Sequence, residues 1–173
     1  MFEQSFDQDP VANGWVARGD ASLFHWNAET RALDVTWDST RPNSFFALPL
    51  GTRLSRRDDF EAAFDLVLHE HQVGADPAKP GTFQISAGFL NLADATSPTF
   101  VRASGVGSPN LVEWAWFGAD TTISASVSPV ITSTNLPPRW AFRDSYFALE
   151  TGRTYRFELQ YTRADSTMRL AVS

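Results

Sequence analysis

The sequence has no cysteine, one lysine (Lys79), three histidines and no long apolar run in its 173 residues. Without cysteine there can be no disulfide framework, thiolate metal site or cysteine nucleophile. The redox compartment stays open, because large secreted β-domains can do without disulfides. A membrane-spanning helix needs about 20 consecutive apolar residues, and no stretch reaches that, so no membrane insertion is expected. Met1, Phe2, Glu3 and Gln4 lack the basic and apolar regions of a secretory signal. With three histidines and no Gly-x-Ser-x-Gly elbow, a serine hydrolase triad has no footing. Residues 105–109 (Gly105, Val106, Gly107, Ser108, Pro109) lack the third glycine, the lysine and the following helix of a phosphate loop, and read as a turn. Positive charge is also scarce: 14 basic against 20 acidic residues give a formal charge of -6 and a pI near 4.9. There is no basic footprint for nucleic acid or an anionic membrane surface, and neutral ligands fit better.

What the chain does have is aromatic and apolar mass: six Trp, fourteen Phe, three Tyr and 43% hydrophobic residues. That composition favours half-buried pleated surfaces, and the length fits one domain over residues 1–173. Turn signals recur at short intervals, at Asn13 and Gly14, Arg41 to Asn43, 74–81, Ser97 and Pro98, 105–110, 118–120, and Pro137 and Pro138. Between them lie alternating runs. Leu33, Val35 and Trp37 oppose Asp34, Thr36 and Asp38, while Phe83, Ile85, Ala87 and Phe89 oppose Gln84, Ser86 and Gly88. Near the end, Tyr155, Phe157, Leu159 and Tyr161 alternate with Arg156, Glu158 and Gln160, and Met168, Leu170 and Val172 read as a hairpin partner across Ala164, Asp165 and Ser166. These patterns predict an all-β sandwich or barrel. No further closing strand is visible after the last one, so the domain is expected either to lack it or to be excised from a longer protein.

Residues 58–69 are ambiguous. They fit a strand using Phe60, Phe64, Leu66 and Leu68, and equally a capped helix using Phe60, Ala63, Phe64, Val67 and Leu68. Local propensity leans to the helix through Glu61, Ala62 and Ala63; the flanking strands lean the other way.

The strand at residues 110–117 carries the chemistry. Val112, Trp114 and Trp116 fall on one face, and Leu111, Glu113, Ala115 and Phe117 on the other. A carboxylate among aromatics suits carbohydrate, because rings stack on sugar C–H surfaces while the carboxylate accepts hydroxyl protons. If Glu113 faces a groove, Trp114 and Trp116 must be core, and stacking falls to Phe117 or to loop aromatics such as Trp26 or Trp140. Gln84 and Ser86 could supply hydrogen bonds to hydroxyls. His69 and His71 would share a strand face about 6.5 to 7 Å apart, a spacing that can hold zinc or copper, but no third ligand accompanies them and no transition metal is expected.

Several segments, taken in order, resemble the concanavalin A-like lectin/glucanase superfamily, and especially laminin-G-like jelly-roll domains of bacterial secreted or surface proteins. They are Gly14 and Trp15; Phe24, His25, Trp26 and Asn27 leading into 33–38; Asp58, Asp59 and Phe60 followed by Phe64, Asp65 and Leu66; 108–113; and Leu149, Gly152, Tyr155, Phe157, Leu159 and Tyr161. The resemblance implies an all-β, two-sheet antiparallel jelly-roll sandwich with one sheet curved into a ligand groove, a strand from Asp59 and Phe60 to His69, and a secreted or cell-surface location. Sandwiches of this kind often carry a structural calcium, and Asp7, Asp9 and Asp20 lie where one could form. These read first as solvated turn aspartates, so no cofactor is expected beyond that candidate calcium.

In the glucanase branch the catalytic strand looks like Glu-x-Asp-x-Glu. Here Glu113 matches only the first acid, and Ala115 and Phe117 stand at the next two positions on that face. Glycosidases need two carboxyls, about 5 to 5.5 Å apart for retention or about 6.5 to 9.5 Å for inversion. The candidates for a second are Asp34, Asp65 and Glu158. The expectation is therefore a non-catalytic module binding a polysaccharide or glycan through Glu113, Phe117, Gln84 and His69. One alternative is a glycoside hydrolase with Glu113 as a catalytic acid, and another is a structural or adhesive surface domain without a sugar site.

Overall fold

The computed structural model describes residues 3–38, 40–41, 43–74, 76–78, 84–100, 110–120, 123–133, 140–142 and 145–173. Phe83, Lys79 and the turn at 105–109 lie outside the described residues. The chain divides into two compact units, Met1–Gly51 and Thr52–Ser173, each of which is described by itself.

In the first unit, strands β1 (Val16–Arg18) and β4 (Phe45–Ala47) pair antiparallel, as do β2 (Phe24–Asn27) and β3 (Ala32–Val35). The β2–β3 hairpin closes because Asn27 Oδ1 accepts the backbone N–H groups of Glu29 and Thr30, and Arg31 turns at a φ of 53°. Phe46 stacks between Trp15 and Phe24, with centroid distances of 5.3 and 5.5 Å. Gly19 is required: at a φ of +78°, a Cβ there would sit 2.4 Å from the Asn43 carbonyl oxygen. The expected buried face of Leu33, Val35 and Trp37 is only partly realised. β3 stops at Val35, which is 49% exposed, and Trp37 lies beyond it at 37%.

The second unit holds two antiparallel sheets. One has the order β10 (Ser145–Tyr146), β8 (Ser126–Thr132), β7 (Leu111–Phe117), β6 (Gln84–Leu90), with β9 (Trp140–Phe142) also pairing β8. The other runs β12 (Thr167–Val172), β11 (Thr154–Thr162), β5 (Phe60–Val67). A short helix, α1 (Leu92–Ala95), follows β6 and is capped by the Asn91 side chain. Among the described residues, Pro129 falls between the part of β8 that pairs β10 and the part that pairs β9, where its missing N–H breaks neither ladder.

The ambiguous segment 58–69 is a strand. All of β5 is in register with β11, from Tyr161 opposite Phe60 to Thr154 opposite Val67, so long-range pairing overrides the local helical preference. β5 ends two residues short of His69. The C-terminal hairpin matches the sequence pattern, with Tyr161 opposite Met168, Leu159 opposite Leu170 and Phe157 opposite Val172. Along β11 burial alternates strictly, with Tyr155, Phe157, Leu159 and Tyr161 inside.

The two sheets meet through aromatic rings. Phe157 stacks on Phe64 at 5.1 Å and receives Trp114 edge-on at 5.9 Å. Leu68, Trp116, Val127, Leu149 and Tyr155 complete the cluster. The indole N–H groups are satisfied across it, Trp114 donating to the Glu158 carbonyl and Trp116 to the Phe147 carbonyl. Trp114 and Trp116 are therefore packing residues, as the alternation implied.

Phe157→Ala should cost about 3 to 5 kcal/mol in urea unfolding. Asp65→Asn, which breaks an exposed pair with Arg156, should cost less than about 1 kcal/mol. A pH dependence is also expected. Hydroxyl hydrogen bonds from Ser22, Thr40 and Ser55 hold the carboxyls of Asp20, Asp38 and Asp58 below the usual range. Folding lowers these pKa values, so their stabilisation is present above the unfolded value of about 3.9 and is lost as pH falls through the folded values. The urea midpoint should drop on acidification below about pH 4, and Asp58→Asn should remove part of that drop.

Candidate functional site

Register alone assembles a second face on the β6–β7–β8 sheet, the polar face, opposite the aromatic core, on which polar groups sit beside a small apolar cluster of Leu90, Leu111, Ala115, Phe117 and Val130. Gln84, Phe117 and Ser126 lie in one row, Ser86, Ala115 and Ser128 in the next, then Gly88, Glu113 and Val130, and finally Leu90, Leu111 and Thr132. Residues opposite one another across a ladder share a face, so this order follows directly from the pairing. At its centre Gln84 Nε2 donates to Ser86 Oγ at 2.7 Å and to Glu113 Oε1 at 3.2 Å. Those two bonds fix the amide plane of Gln84. Ser86 acts as an acceptor here and keeps its O–H to donate.

The depth of this face differs from the sequence expectation. Glu113 was expected to face outward with Ala115 and Phe117, but it is 1% exposed and Ala115 is fully buried. The physical reason is that β7 is a central strand, flanked by β6 and β8, and that Leu90, Leu111, Ala115, Phe117 and Val130 pack together on the Glu113 face. Solvent reaches the polar face from β6 instead: Gln84 and Ser86 are half-buried and Gly88 is exposed. Phe117 is half-buried in the row of Gln84.

Gly88 governs the approach of β6 to β7 at the carboxylate. A Cβ at this position would lie 2.2 Å from the Val112 carbonyl oxygen, 2.5 Å from the Glu113 Cα and 2.7 Å from its Cβ. Backbone would have to move to admit any side chain, so glycine is what lets the two strands close over Glu113.

The structure thus brings together Glu113, Gln84 and Phe117 of the expected ligand residues, with Ser86 beside them. His69 is not with them. It lies exposed beyond the end of β5, a strand of the other sheet, and His71 sits edge-on to the core indole of Trp116 at 5.7 Å. Neither is a strand residue, so the proposed two-residue strand spacing does not apply. Trp26 belongs to the first unit, where its indole N–H donates to the Phe6 carbonyl. Trp140 lies in β9, and its side chain is outside the described residues.

The candidate second acids stand elsewhere. Asp65 and Glu158 project from the outer face of the three-stranded sheet, where both lie near Arg156, at 3.0 and 3.9 Å. Asp34, in the first unit, accepts from Asn27 Nδ2. Neither Asp65 nor Glu158 shares a face with Glu113, because the whole aromatic core lies between them.

The aspartates considered for calcium are engaged locally. Asp7 pairs with Arg31 and accepts from Ser5, Asp9 caps the 3-10 turn Pro10–Asn13, and Asp20 caps Ala21–Leu23. Among the described residues, no three histidine, aspartate or glutamate side chains converge as metal ligands. An open cleft of about 430 Å³ in the first unit is lined by Glu3, Gln4, Ser5, Asp7, Gln8 and Asn13.

Sequence reasoning missed the β8 contribution. Ser126, Ser128 and Thr132 are all buried on the Glu113 face, and the signal was present as the alternation of Ser126, Ser128 and Val130 with Val127, Pro129 and Ile131. Pro129 obscured it, since proline inside a run argues against a strand.

No protein-family model matches the sequence, and no curated protein matches it significantly.

Gly88→Ala should destabilise the second unit by about 1 to 3 kcal/mol through forced strand displacement. Thermal unfolding followed by near-UV circular dichroism checks this through the buried tryptophans of β7.

Proposed function

We propose that the chain is a non-catalytic glycan-binding module with a concanavalin A-like jelly-roll fold, as found in secreted or surface proteins. The observation that carries this reading is the polar face itself. Burying a carboxylate, an amide and several hydroxyls costs free energy unless each is hydrogen-bonded. The polar groups share this face with Leu90, Leu111, Ala115, Phe117 and Val130, which pack together as an apolar cluster. Gln84, Ser86 and Phe117 lie at the accessible margin, and an amide, a hydroxyl and a ring are the groups that recognise sugars. Glu113 sits one strand further in and holds the Gln84 amide in place. Its role in this reading is positioning, behind the residues that touch the ligand.

The placement of the acids supports binding over hydrolysis. Asp65 and Glu158 are across the core from Glu113, so they do not supply the second carboxyl of a glycosidase. A structural or adhesive domain without a sugar site is the second reading, favoured by the near-complete burial of Glu113.

Binding of the whole chain to a panel of neutral polysaccharides separates the two. The glycan-binding reading expects affinity for at least one polymer, no release of reducing ends, and a loss of about tenfold in Gln84→Ala, the equivalent of one hydrogen bond of about 1.4 kcal/mol. Glu113→Gln keeps the shape and should weaken binding with little loss of stability. Glu113→Ala removes a buried side chain and one acceptor of the Gln84 amide, and should cost about 1 to 3 kcal/mol of folding stability. Absence of binding to every neutral glycan tested would favour the structural reading.

A further inference from the structure

The loop that leads into β5 reverses the charge of an otherwise acidic chain. Arg53, Arg56 and Arg57 are all exposed, and Arg163 joins them from the end of β11. The nearby acids are already committed. Asp58 Oδ2 accepts from both the backbone N–H and the hydroxyl of Ser55, and Asp59 takes the backbone N–H and the Nε of Arg163. Among the described residues no carboxylate lies within ion-pair distance of Arg53, Arg56 or Arg57, in contrast to Arg31, Arg41, Arg153, Arg156 and Arg163.

Arg56 and Arg57 occupy the two central positions of a tight turn. The Asp58 N–H donates to the Ser55 carbonyl at 3.1 Å, and the Arg57 N–H donates to Ser55 Oγ at 3.1 Å. The turn is tied to β11 as well: the Tyr161 hydroxyl donates to the Arg56 carbonyl, and the Arg163 guanidinium donates to the Arg57 carbonyl. Two neighbouring guanidiniums are therefore presented from an anchored backbone, which lowers the entropy lost when they grip a ligand. Surface arginines in an acidic protein gain by pairing with the protein's own carboxylates, and here the adjacent carboxylates are bonded away from them.

We propose that the Ser55–Asp58 turn is a second, anionic docking point, at which Arg56 and Arg57 bind carboxylate groups of an acidic polysaccharide. The guanidinium fork matches a carboxylate with two parallel hydrogen bonds. The net charge of -6 sets the whole molecule against a polymer as densely charged as duplex nucleic acid. That the polymer is a polysaccharide rests on the glycan-binding reading; the recognition of anions does not.

The test is binding of the full chain to polygalacturonate, with dextran sulfate and duplex DNA as competing polyanions. Wild type should bind polygalacturonate in a salt-sensitive manner. R56S/R57S should lose at least about tenfold in affinity with an unchanged melting temperature. R56K/R57K should recover only part of it, because lysine keeps the charge and lacks the fork. R56S/R57S should bind neutral glycans as wild type does, which keeps this outcome separate from the fate of the polar face. No binding, equal binding by R56S/R57S, or tighter binding of dextran sulfate or DNA would each overturn the proposal.

Discussion

The structure of the larger unit depends on the packing of Trp114 and Trp116 against Phe157, Tyr155 and their neighbours. Those contacts decide which face of β7 looks into the sandwich. A strand has only two faces, so placing both indoles inside puts Leu111, Glu113, Ala115 and Phe117 on the other side. The indole hydrogen bonds to the carbonyls of Glu158 and Phe147 lock that choice. A one-residue slip would break both and turn Glu113 into the aromatic core, where a carboxylate has no partner among the rings. The polar face is a consequence of the core.

The chemistry of that face follows from its neighbours on β6 and β8. Gly88 lets β6 close over Glu113, and Gln84 reaches across to bond the carboxylate and Ser86 together. Ser126, Ser128 and Thr132 extend the polar surface to the far side of β7. A carboxylate held by an amide in this way acts as an anchor for hydrogen-bond geometry.

Much of the fold was legible in the sequence because strict alternation has one physical meaning. The β11–β12 hairpin and the core assignment of Trp114 and Trp116 could be read directly, since aromatic residues every second position must share a buried side. Residues 58–69 could not be decided locally, because their apolar residues fit both periods; the β11 pairing that fixes them is distant in sequence. The identity of the polar face was legible through Glu113, Gln84 and Ser86, but its depth was not. Whether a central strand is covered on its second face depends on what the rest of the chain lays over it, and no local pattern records that. His69 was assigned to a strand face because the run of alternation was carried two residues too far; β5 stops at Val67 where its pairing with Thr154 ends.

On the glycan-binding proposal, the face formed by β6, β7 and β8 is where a glycan is held. The most direct measurement is a titration of isotopically labelled protein with neutral oligosaccharides, followed by backbone and side-chain amide chemical shifts. A glycan held there gives saturable shifts centred on the Gln84 side-chain amide and the backbone amides of Ser86, Gly88, Glu113 and Phe117. Shifts confined to other surfaces, or none at ligand concentrations that saturate ordinary lectins, would contradict it.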